Sequence, residues 1–355
     1  MTPTWPQLIS DVIGRIDLSA DQTAWAMDQV MSGNTSPVTL AGFLTALATK
    51  GETVAELKGL ADAMLAHAEV IEVPTNTLDI VGTGGDRART VNISSMVALV
   101  LAGAGVRVVK HGNRASSSAS GSADVIESLG VSLTMPVRDV ERALDAVGIT
   151  FLFANLFHPS MRFAAPTRRE LGVATAFNVL GPLTNPARPR ANAIGVSSAR
   201  HAPIVAGVLA DRGNRALVFR GSNGLDELTS TAVNEVWVVE EGRVTREDVD
   251  ATELGIAPAT IEDLRGADPE YNANVARSML AGAEGIITDT VLLNAAAGIV
   301  AYGTEGTREG TLLERLAAAM GIARDSLVSG RAEDTLNRWI EFSRGVVREK
   351  EGRTH

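Results

Sequence analysis

The chain has no cysteine, no excess of positive charge and no apolar run long enough to cross a bilayer. The absence of cysteine from all 355 residues excludes thiol catalysis and disulfides, so no oxidising compartment is required. A net charge of −10 disfavours nonspecific binding of nucleic acid. A local basic cleft for anionic ligands is still compatible with that charge, and its candidate members are Lys110, Arg114, Arg168 and Arg169.

Segments that would direct the chain to a membrane are also missing from the sequence. Residues 1–16 lack the basic-then-apolar order of a cleavable signal. The longest apolar run, residues 96–109, is interrupted by Arg107 and is too short to span a bilayer. We therefore expect a cytoplasmic protein that binds neither membranes nor nucleic acid.

A glycine-rich turn, Gly82-Thr83-Gly84-Gly85-Asp86, lies between a short apolar run at residues 78–81 and a helical pattern at residues 91–101. Glycine permits positive φ and lets backbone N–H groups approach a phosphate. A tight turn with a helix cap is the structural alternative. The turn fits neither the dinucleotide fingerprint nor the nucleotide P-loop. Further donors are expected in the first helical turn, from Thr90, Asn92, Ser94 and Ser95.

A second polar stretch, Lys110-His111-Gly112-Asn113-Arg114, follows the strand pattern at residues 106–109. Residues 78–109 therefore predict a βαβ unit, which places both polar stretches at the carboxyl edge of a parallel sheet. The serine-rich segment 115–123 that follows is interpreted either as a flexible linker or as a loop that wraps phosphate oxygens. Its start at a strand end and its entry into a helix at Asp124 favour the wrapping loop.

A third stretch, Asp226-Glu227, follows the strand pattern at residues 216–219. Adjacent carboxylates are common on solvated loops. Magnesium, however, takes one or two protein carboxylates and is completed by water and substrate phosphates. The three stretches together predict a socket for a magnesium-bound diphosphate and a group transfer in which pyrophosphate leaves.

Further motifs occur in a fixed order along the chain: Gly121-Ser122-Ala123-Asp124, His158-Pro159-Ser160-Met161-Arg162, Arg168-Arg169-Glu170-Leu171-Gly172, Phe177-Asn178-Val179-Leu180-Gly181-Pro182-Leu183-Thr184-Asn185-Pro186 and Asp226-Glu227-Leu228-Thr229. With the first two stretches, they give a sequence that resembles the anthranilate phosphoribosyltransferase family of tryptophan biosynthesis. The resemblance covers nearly the whole length and weakens in the last third. The serine loop departs from it, because residues 116–120 lack the Gly-Lys found in many relatives.

The resemblance implies transfer of a phosphoribosyl group from 5-phosphoribosyl 1-diphosphate to the amine of anthranilate. It implies Mg²⁺ ligation by Ser94, Asp226 and Glu227. It places anthranilate against Gly82, Asn113, His158 and Arg168, with His111 lining the same cleft. It assigns the donor to the following residues: Gly82, Gly85, Asp86, Thr90, Asn92, Ile93, Ser94, Ser95, Lys110, His111, Gly112, Asn113, Arg114, Ala115, Ser116, Ser117, Ser118 and Ser122.

The chemistry expected of these residues is electrostatic. Loss of diphosphate from ribose C1 develops oxocarbenium character, so the leaving charge must be stabilised and the amine positioned. Lys110 and magnesium are suited to the first task. The amine of anthranilate needs no deprotonation before attack, and the sequence offers no acid/base pair. His111 is either a proton acceptor or a residue that orients the loop through a hydrogen bond.

The pattern of elements predicts a small all-helical domain and a larger α/β domain with a mostly parallel central sheet. Residues 1–72 show helical patterns only, and strand patterns begin at Leu78, so we place the α/β domain at residues 73–355. The resemblance adds a segment near residues 166–180 that returns to the helical domain, an active-site cleft between the domains and a homodimer formed by the helical domains.

Two other functions fit parts of the sequence. A pyrimidine nucleoside phosphorylase would share the architecture, but the Asn113-Arg114 pair and the Asp226-Glu227 pair argue against it. A noncatalytic, nucleic-acid-binding relative of the transferase should lose the glycine turn or the carboxylates and gain a basic groove, which this acidic chain does not indicate.

Overall fold

The computed structural model describes residues 2–115 and 120–352, with side-chain environments to residue 348. Ser116, Ser117 and Ser118 of the predicted donor loop lie outside the described residues. The helices are α1 (Trp5–Ile13), α2 (Ala20–Met31), α3 (Pro37–Lys50), α4 (Val54–Ala66), α5 (Ile93–Gly103), α6 (Ser122–Ser128), α7 (Val137–Val147), α8 (Ala154–Phe157), α9 (Ala165–Leu171), α10 (Phe177–Leu180), α11 (His201–Asp211), α12 (Pro269–Leu280), α13 (Ile286–Tyr302), α14 (Leu312–Val328) and α15 (Arg331–Gly352).

The strands form one mixed sheet. They are β1 (Leu78–Gly82), β2 (Val108–Gly112), β3 (Ile149–Phe153), β4 (Ala191–Gly195), β5 (Arg215–Gly221), β6 (Asn234–Glu240) and β7 (Arg243–Val249). Their order is β3-β2-β1-β4-β5-β6-β7. The first five in that order are parallel, and β6 and β7 are antiparallel to their neighbours. The predicted fold class is confirmed.

The chain begins with four helices, as the sequence predicts. Helix α4 starts with a capping box in which the Thr53 hydroxyl accepts from Glu56 N–H and the Glu56 carboxylate accepts from Thr53 N–H. The apolar face of α3, formed by Leu40, Phe43, Leu44 and Leu47, is buried. It shares one hydrophobic cluster with parts of the returning segment, including Ala176 and Phe177. The domain boundary at residues 72 and 73 stays a prediction.

A second hydrophobic cluster packs helices α5, α13 and α14 against one face of the sheet. Helix α13 is buried along almost its whole length, so its polar residues need partners inside the protein. In the part of the chain that the structure describes, no helix is both long and apolar enough to cross a membrane.

Two details differ from the sequence-based expectations. Helix α5 begins at Ile93, so Thr90 and Asn92 precede it instead of lying in its first turn. The strand β7 lacks an apolar pattern, because it is the edge strand and most of its side chains are exposed. Its pairing with β6 ends the sheet in an antiparallel hairpin.

Candidate active site

The three polar stretches meet at the carboxyl edge of the sheet. The Asp226 carboxylate accepts a hydrogen bond of 2.7 Å from the backbone N–H of Gly84, which joins the first stretch to the third. The Lys110 ammonium donates to the Ser94 hydroxyl at 3.1 Å, which joins the second stretch to helix α5. The predicted convergence at this edge follows from the parallel register of β1, β2, β4 and β5.

Glycine at two strand ends makes room for Asp226. A Cβ atom on Gly82 would collide with the Asp226 carboxylate, and one on Gly195 would collide with the Asp226 carbonyl oxygen. In the turn itself, Gly84 and Gly85 have φ values of 68° and 85°, which a residue with a side chain rarely adopts. Sequence, turn geometry and close approach therefore agree on why glycine occupies these positions.

The carboxylates of Asp226 and Glu227 are buried, at 7% and 9% residual exposure. Desolvation, with the nearby Asp86 carboxylate as the next cause, raises the pKa of Asp226 to about 7. Desolvation and the Asp226 charge raise the pKa of Glu227 well above its usual value. Among the described residues, no hydrogen bond reaches the Glu227 carboxylate. Neighbouring buried carboxylates that repel one another favour a bound cation.

The donor set fits magnesium completed by a substrate. Within the described ranges, no group of three or more His, Asp or Glu side chains forms a ready-made metal site. Magnesium does not need one, because it retains waters and takes phosphate oxygens from its substrate. Asp226, Glu227 and the Ser94 hydroxyl are oxygen ligands of the preferred kind. The charge of Lys110 opposes the raised pKa of Glu227 only in part, so a cation at this position would be stabilising.

Lys110 lies beneath the site. Its side chain is almost fully buried, and its ammonium donates to the Ile80 carbonyl at 2.7 Å as well as to Ser94. Burial lowers the pKa of Lys110 to about 8, while the charges of Asp79 and Glu227 act in the opposite direction. The Lys110 ammonium therefore lies inside the sheet edge and not on the loop that follows β2.

Asp79 is a buried group that sequence reasoning missed. One of its oxygens accepts from the backbone N–H of His111 at 3.1 Å, and the other has no hydrogen-bond partner in the described structure. Burial raises its pKa to about 6, opposed first by the charge of Lys110. The sequence signal that could have identified Asp79 is a carboxylate within the otherwise apolar run at residues 78–81.

Two histidine rings pack beside one another, with centroids of His111 and His158 5.1 Å apart. His111 Nδ1 lies 3.1 Å from the Gly181 carbonyl and His158 Nε2 lies 2.9 Å from the Thr184 carbonyl. Because a carbonyl only accepts, these nitrogens carry protons, and the buried Nε2 of His111 is left as an unpartnered acceptor. Burial lowers the pKa of His111 to about 3 and that of His158 to about 4.

Arg168 has no acidic partner among the described residues. Its guanidinium lies over the ring of Phe177, 4.9 Å from the centroid, and burial lowers its pKa. A salt bridge to Glu170, the nearest acidic residue in sequence, is not formed in this structure. A partly desolvated guanidinium without a counter-ion is a ready site for a carboxylate.

Arg114 differs from the expectation of a free cation for the donor. Its guanidinium donates to Asp124 at 2.9 Å and to Glu127 at 2.5 Å. Asp124 also accepts from the backbone N–H of Ala115 and of Gly121, at 2.9 Å each. These contacts close the base of the serine loop. The local basic cleft inferred from the sequence is thus weaker than expected, because Arg114 is neutralised and Lys110 is buried.

The remaining donor candidates have mixed environments. Asn92 donates to the Ser120 carbonyl at 3.1 Å and is itself held by Asn272 at 2.8 Å, a residue that sequence reasoning missed. The side chain of Ile93 is buried in the core, which leaves only its backbone for a ligand. Gly112 ends β2, and Thr90 forms an isolated β-bridge with Arg265. Ser95 is buried, and its hydroxyl has no hydrogen-bond partner among the described residues. The Asn113 side chain accepts from Arg114 N–H, and the Ser122 hydroxyl donates to the Asn113 carbonyl.

Ser197 is a further residue that the sequence did not indicate. It follows β4 at the same sheet edge, and its hydroxyl donates to the Gly84 carbonyl at 2.8 Å. Its backbone N–H donates to the Thr83 hydroxyl at 3.2 Å. These bonds stabilise the glycine turn in its left-handed conformation. The only sequence signal for Ser197 was its position two residues after the end of β4.

Comparison with known proteins gives a consistent result. Residues 6–68 match the helical bundle domain, and residues 74–333 the a/b domain, of a glycosyl transferase family. The anthranilate phosphoribosyltransferase of Arthrobacter sp. (strain FB24) is 57% identical over 96% of this chain and 97% of its own length. That of Streptomyces griseus is 57% identical over 96% of this chain and 95% of its own length.

Two solved structures extend the match to three dimensions. The anthranilate phosphoribosyltransferase of Thermus thermophilus has a TM-score of 0.87 and 42% identity, covering 95% of this chain and 99% of its own. The Saccharomyces cerevisiae enzyme, solved in complex with PRPP and Mg, has a TM-score of 0.85 and 26% identity, covering 96% and 98%. The fold and the family matches define a glycosyl transferase with a helical bundle and an α/β domain. Within that class, the chain belongs to the anthranilate phosphoribosyltransferase family.

Proposed function

We propose that this protein transfers the 5-phosphoribosyl group of 5-phosphoribosyl 1-diphosphate to the amine of anthranilate, releasing pyrophosphate. The product is N-(5-phosphoribosyl)anthranilate, an intermediate of tryptophan synthesis. Membership of the family supports this activity. The observation that carries the proposal is the burial of Asp226 and Glu227 at a sheet edge where the Asp226 carboxylate accepts a hydrogen bond from Gly84 of the glycine turn.

The donor is assigned to the carboxyl edge of β1 and β2. The backbone N–H groups of the Gly82–Asp86 turn and the hydroxyls at the start of α5 would hold phosphate oxygens. Asp226, Glu227 and Ser94 would hold magnesium, which supplies positive charge to the departing diphosphate. The buried ammonium of Lys110 adds a fixed charge below this position, and it needs no reorganisation during the reaction.

The residues that we propose for anthranilate are Arg168, His158, Asn113 and Gly82. The planar guanidinium of Arg168 matches a carboxylate in a two-pronged contact, which an ammonium cannot reproduce. His158 has a neutral ring and lies against His111, so this wall is largely uncharged. The arrangement fits a planar aromatic acid with one negative charge.

Catalysis by these residues is positional and electrostatic. The amine attacks ribose C1 as the bond to diphosphate breaks, and the amine proton is lost after attack. The unpartnered Nε2 of His111 is a candidate acceptor for that proton, but a pKa of about 3 makes it a weak base. Solvent is therefore the proposed final acceptor, and His111 acts mainly through its bond to the Gly181 carbonyl.

A single assay tests the proposal. Purified protein is mixed with anthranilate, 5-phosphoribosyl 1-diphosphate and Mg²⁺, and the loss of anthranilate fluorescence is followed. We expect loss of fluorescence that requires all three components and stops when the metal is chelated. Unchanged fluorescence with both substrates saturating, together with phosphate-dependent cleavage of a pyrimidine nucleoside, would favour the phosphorylase.

The helical part of the chain is the proposed homodimer interface. A groove between α1 and α3 has a mixed lining, and Ile13 within it is 70% exposed. Exposed apolar surface on a helical face favours burial against a second copy. The apolar and small residues of the lining are Val12, Ile13, Ala41, Gly42 and Ala46, and its polar residues are Arg15, Thr45, Thr49 and Lys50.

A further inference from the structure

The segment that carries the metal carboxylates runs through the core without belonging to a strand. It connects β5 to β6, and the residues directly after Glu227, which are Leu228 and Thr229, are fully buried. Buried backbone N–H and C=O groups need partners, and this segment has no sheet ladder to supply them. Side chains from two other elements provide these partners.

Asn294 holds Leu228 from helix α13. Its amide oxygen accepts from Leu228 N–H at 2.9 Å, and its amide nitrogen donates to the Leu228 carbonyl at 2.7 Å. The same nitrogen donates to the Thr290 carbonyl at 2.9 Å, which fixes the side chain to its own helix. Asn294 is fully buried in an otherwise apolar stretch of that helix.

Asn234 holds Thr229 in the same way from the start of β6. Its amide oxygen accepts from Thr229 N–H and its amide nitrogen donates to the Thr229 carbonyl, both at 2.8 Å. Two consecutive residues therefore have both backbone polar groups paired with a single asparagine side chain each. At the start of the segment, Asp226 is held by a hydrogen bond from Gly84 N–H and by the close approach of Gly195.

We propose that Asn294 and Asn234 are positioning residues that fix the direction of the Asp226 and Glu227 carboxylates for metal binding. We call the two side-chain amides with Leu228 and Thr229 the asparagine clamp. The inference rests on the proposed function, because it concerns the residues assigned to magnesium there. Glu227 receives no hydrogen bond from the described residues, so its orientation depends on the backbone that the clamp holds. Substitution of residues that orient metal ligands commonly lowers metal affinity or activity by about 10–100-fold.

The alternative is that Asn294 only satisfies buried backbone groups. That role predicts a loss of stability without any particular change in the use of metal. Asn294→Leu removes both bonds to Leu228 at similar volume. Asn294→Asp keeps the acceptor for Leu228 N–H but loses the donor. A matched control is Thr290→Val on the same helix, which removes a bond from the Thr290 hydroxyl to the Ile286 carbonyl and keeps the Thr290 carbonyl that Asn294 binds.

The first measurement is the initial rate as a function of Mg²⁺ for the full chain. For Asn294→Leu we expect the Mg²⁺ concentration at half-maximal rate to rise at least about tenfold, with a smaller rise for Asn294→Asp. The anthranilate KM should change less than about twofold, since Arg168 is untouched. Thr290→Val should keep the Mg²⁺ dependence of the parent chain. Equal Mg²⁺ dependence in all variants would overturn the proposal.

The second measurement does not depend on activity. Calorimetric titration with Mg²⁺ and 5-phosphoribosyl 1-diphosphate should show weaker binding for Asn294→Leu than for Thr290→Val at comparable thermal stability. Hydrogen exchange of the unsubstituted, metal-free chain should show amides of Leu228 and Thr229 as protected as those of β5. Rapid exchange at these amides would overturn the clamp even if the substituted chains fail to fold. An inactive parent chain with protected amides would instead reject the proposed function alone.

Discussion

Three buried charges, those of Asp226, Glu227 and Lys110, determine the chemistry at the residue scale. Each lies where water is excluded, and the two carboxylates have raised pKa values while the ammonium has a lowered one. All three shifts have desolvation as their first cause. A magnesium-bound diphosphate would restore the charge balance, because it brings positive charge to the carboxylates and negative charge above the ammonium.

The carboxylates can be neutralised without loss of the fold. For Asp226→Asn with Glu227→Gln, we expect kcat/KM to fall at least about a thousandfold, because both protein charges for the metal are removed. The melting temperature in the absence of metal should be unchanged or higher, since the repulsion with Asp86 is relieved. Rate measurements at limiting Mg²⁺ and a thermal melt check both points. Near-normal turnover would remove these residues from the mechanism.

Arg168 should affect one substrate and not the other. Arg168→Lys and Arg168→Ala are expected to raise the anthranilate KM about 10–100-fold, because a two-pronged contact to the carboxylate is lost. The KM for 5-phosphoribosyl 1-diphosphate should change little. Steady-state kinetics with each substrate varied in turn gives the answer. Equal losses for both substrates, or a large fall in melting temperature, would assign Arg168 a structural role.

His158 predicts a pH dependence of stability. Its pKa is about 4 in the folded chain and about 6.5 when unfolded, so the unfolded state binds more protons between these values. The stability that the neutral ring contributes is therefore present above about pH 6.5 and is lost as the pH falls towards 4. His158→Gln keeps a donor for the Thr184 carbonyl but does not titrate.

Denaturant unfolding of both chains at two pH values tests this prediction. When the pH is lowered from 7.5 to 5, the parent chain should lose about 2 kcal/mol more of its free energy of unfolding than His158→Gln does. The same difference at both pH values would mean that His158 is not buried in its neutral form. Activity is not used as the readout, because His158 lies in the proposed acceptor site.

At the scale of elements, the site depends on how closely strand ends approach the carboxylate loop. Gly195→Ala would place a methyl group against the Asp226 carbonyl oxygen. We expect kcat/KM to fall about a hundredfold, since a displacement of about 1 Å is enough for such a loss. Gly321→Ala is the control, because it lies within α14 with open space around it.

The control should be neutral or stabilised by up to about 1 kcal/mol, as expected for alanine in a helix. Kinetics and thermal melts of the two variants are compared side by side. If Gly195→Ala keeps full activity, the Asp226 loop tolerates displacement and the geometry of this contact is not critical.

Sequence patterns identified most elements correctly where burial is one-sided or complete. The apolar runs of β1, β2 and β5 reflect local chemistry, which a single sequence displays. Strand β7 was missed because an exposed edge strand needs no apolar pattern. Its pairing with β6 is a nonlocal property.

At the scale of the whole molecule, the groove between α1 and α3 is the surface that we propose for a second copy. Ile13→Glu places a charge in that groove, and we expect the chain to shift from dimer to monomer in sedimentation or light scattering. Val328→Glu is the control, since Val328 on α14 is 80% exposed and lies outside the groove. A monomeric parent chain, or an unchanged mass for Ile13→Glu, would contradict the proposed interface.

The sequence by itself determined the fold class, and it predicted a site at the carboxyl edge of the sheet together with the type of ligand. Glycine turns and paired carboxylates after strands are local signals, and parallel strands bring their ends together by construction. Only the tertiary structure decided that Lys110 is buried, that Arg114 is paired with Asp124 and Glu127, and that Asn294 holds the carboxylate segment. The physical reason is that burial and the choice of partner depend on contacts between residues far apart in the chain, which no local pattern contains.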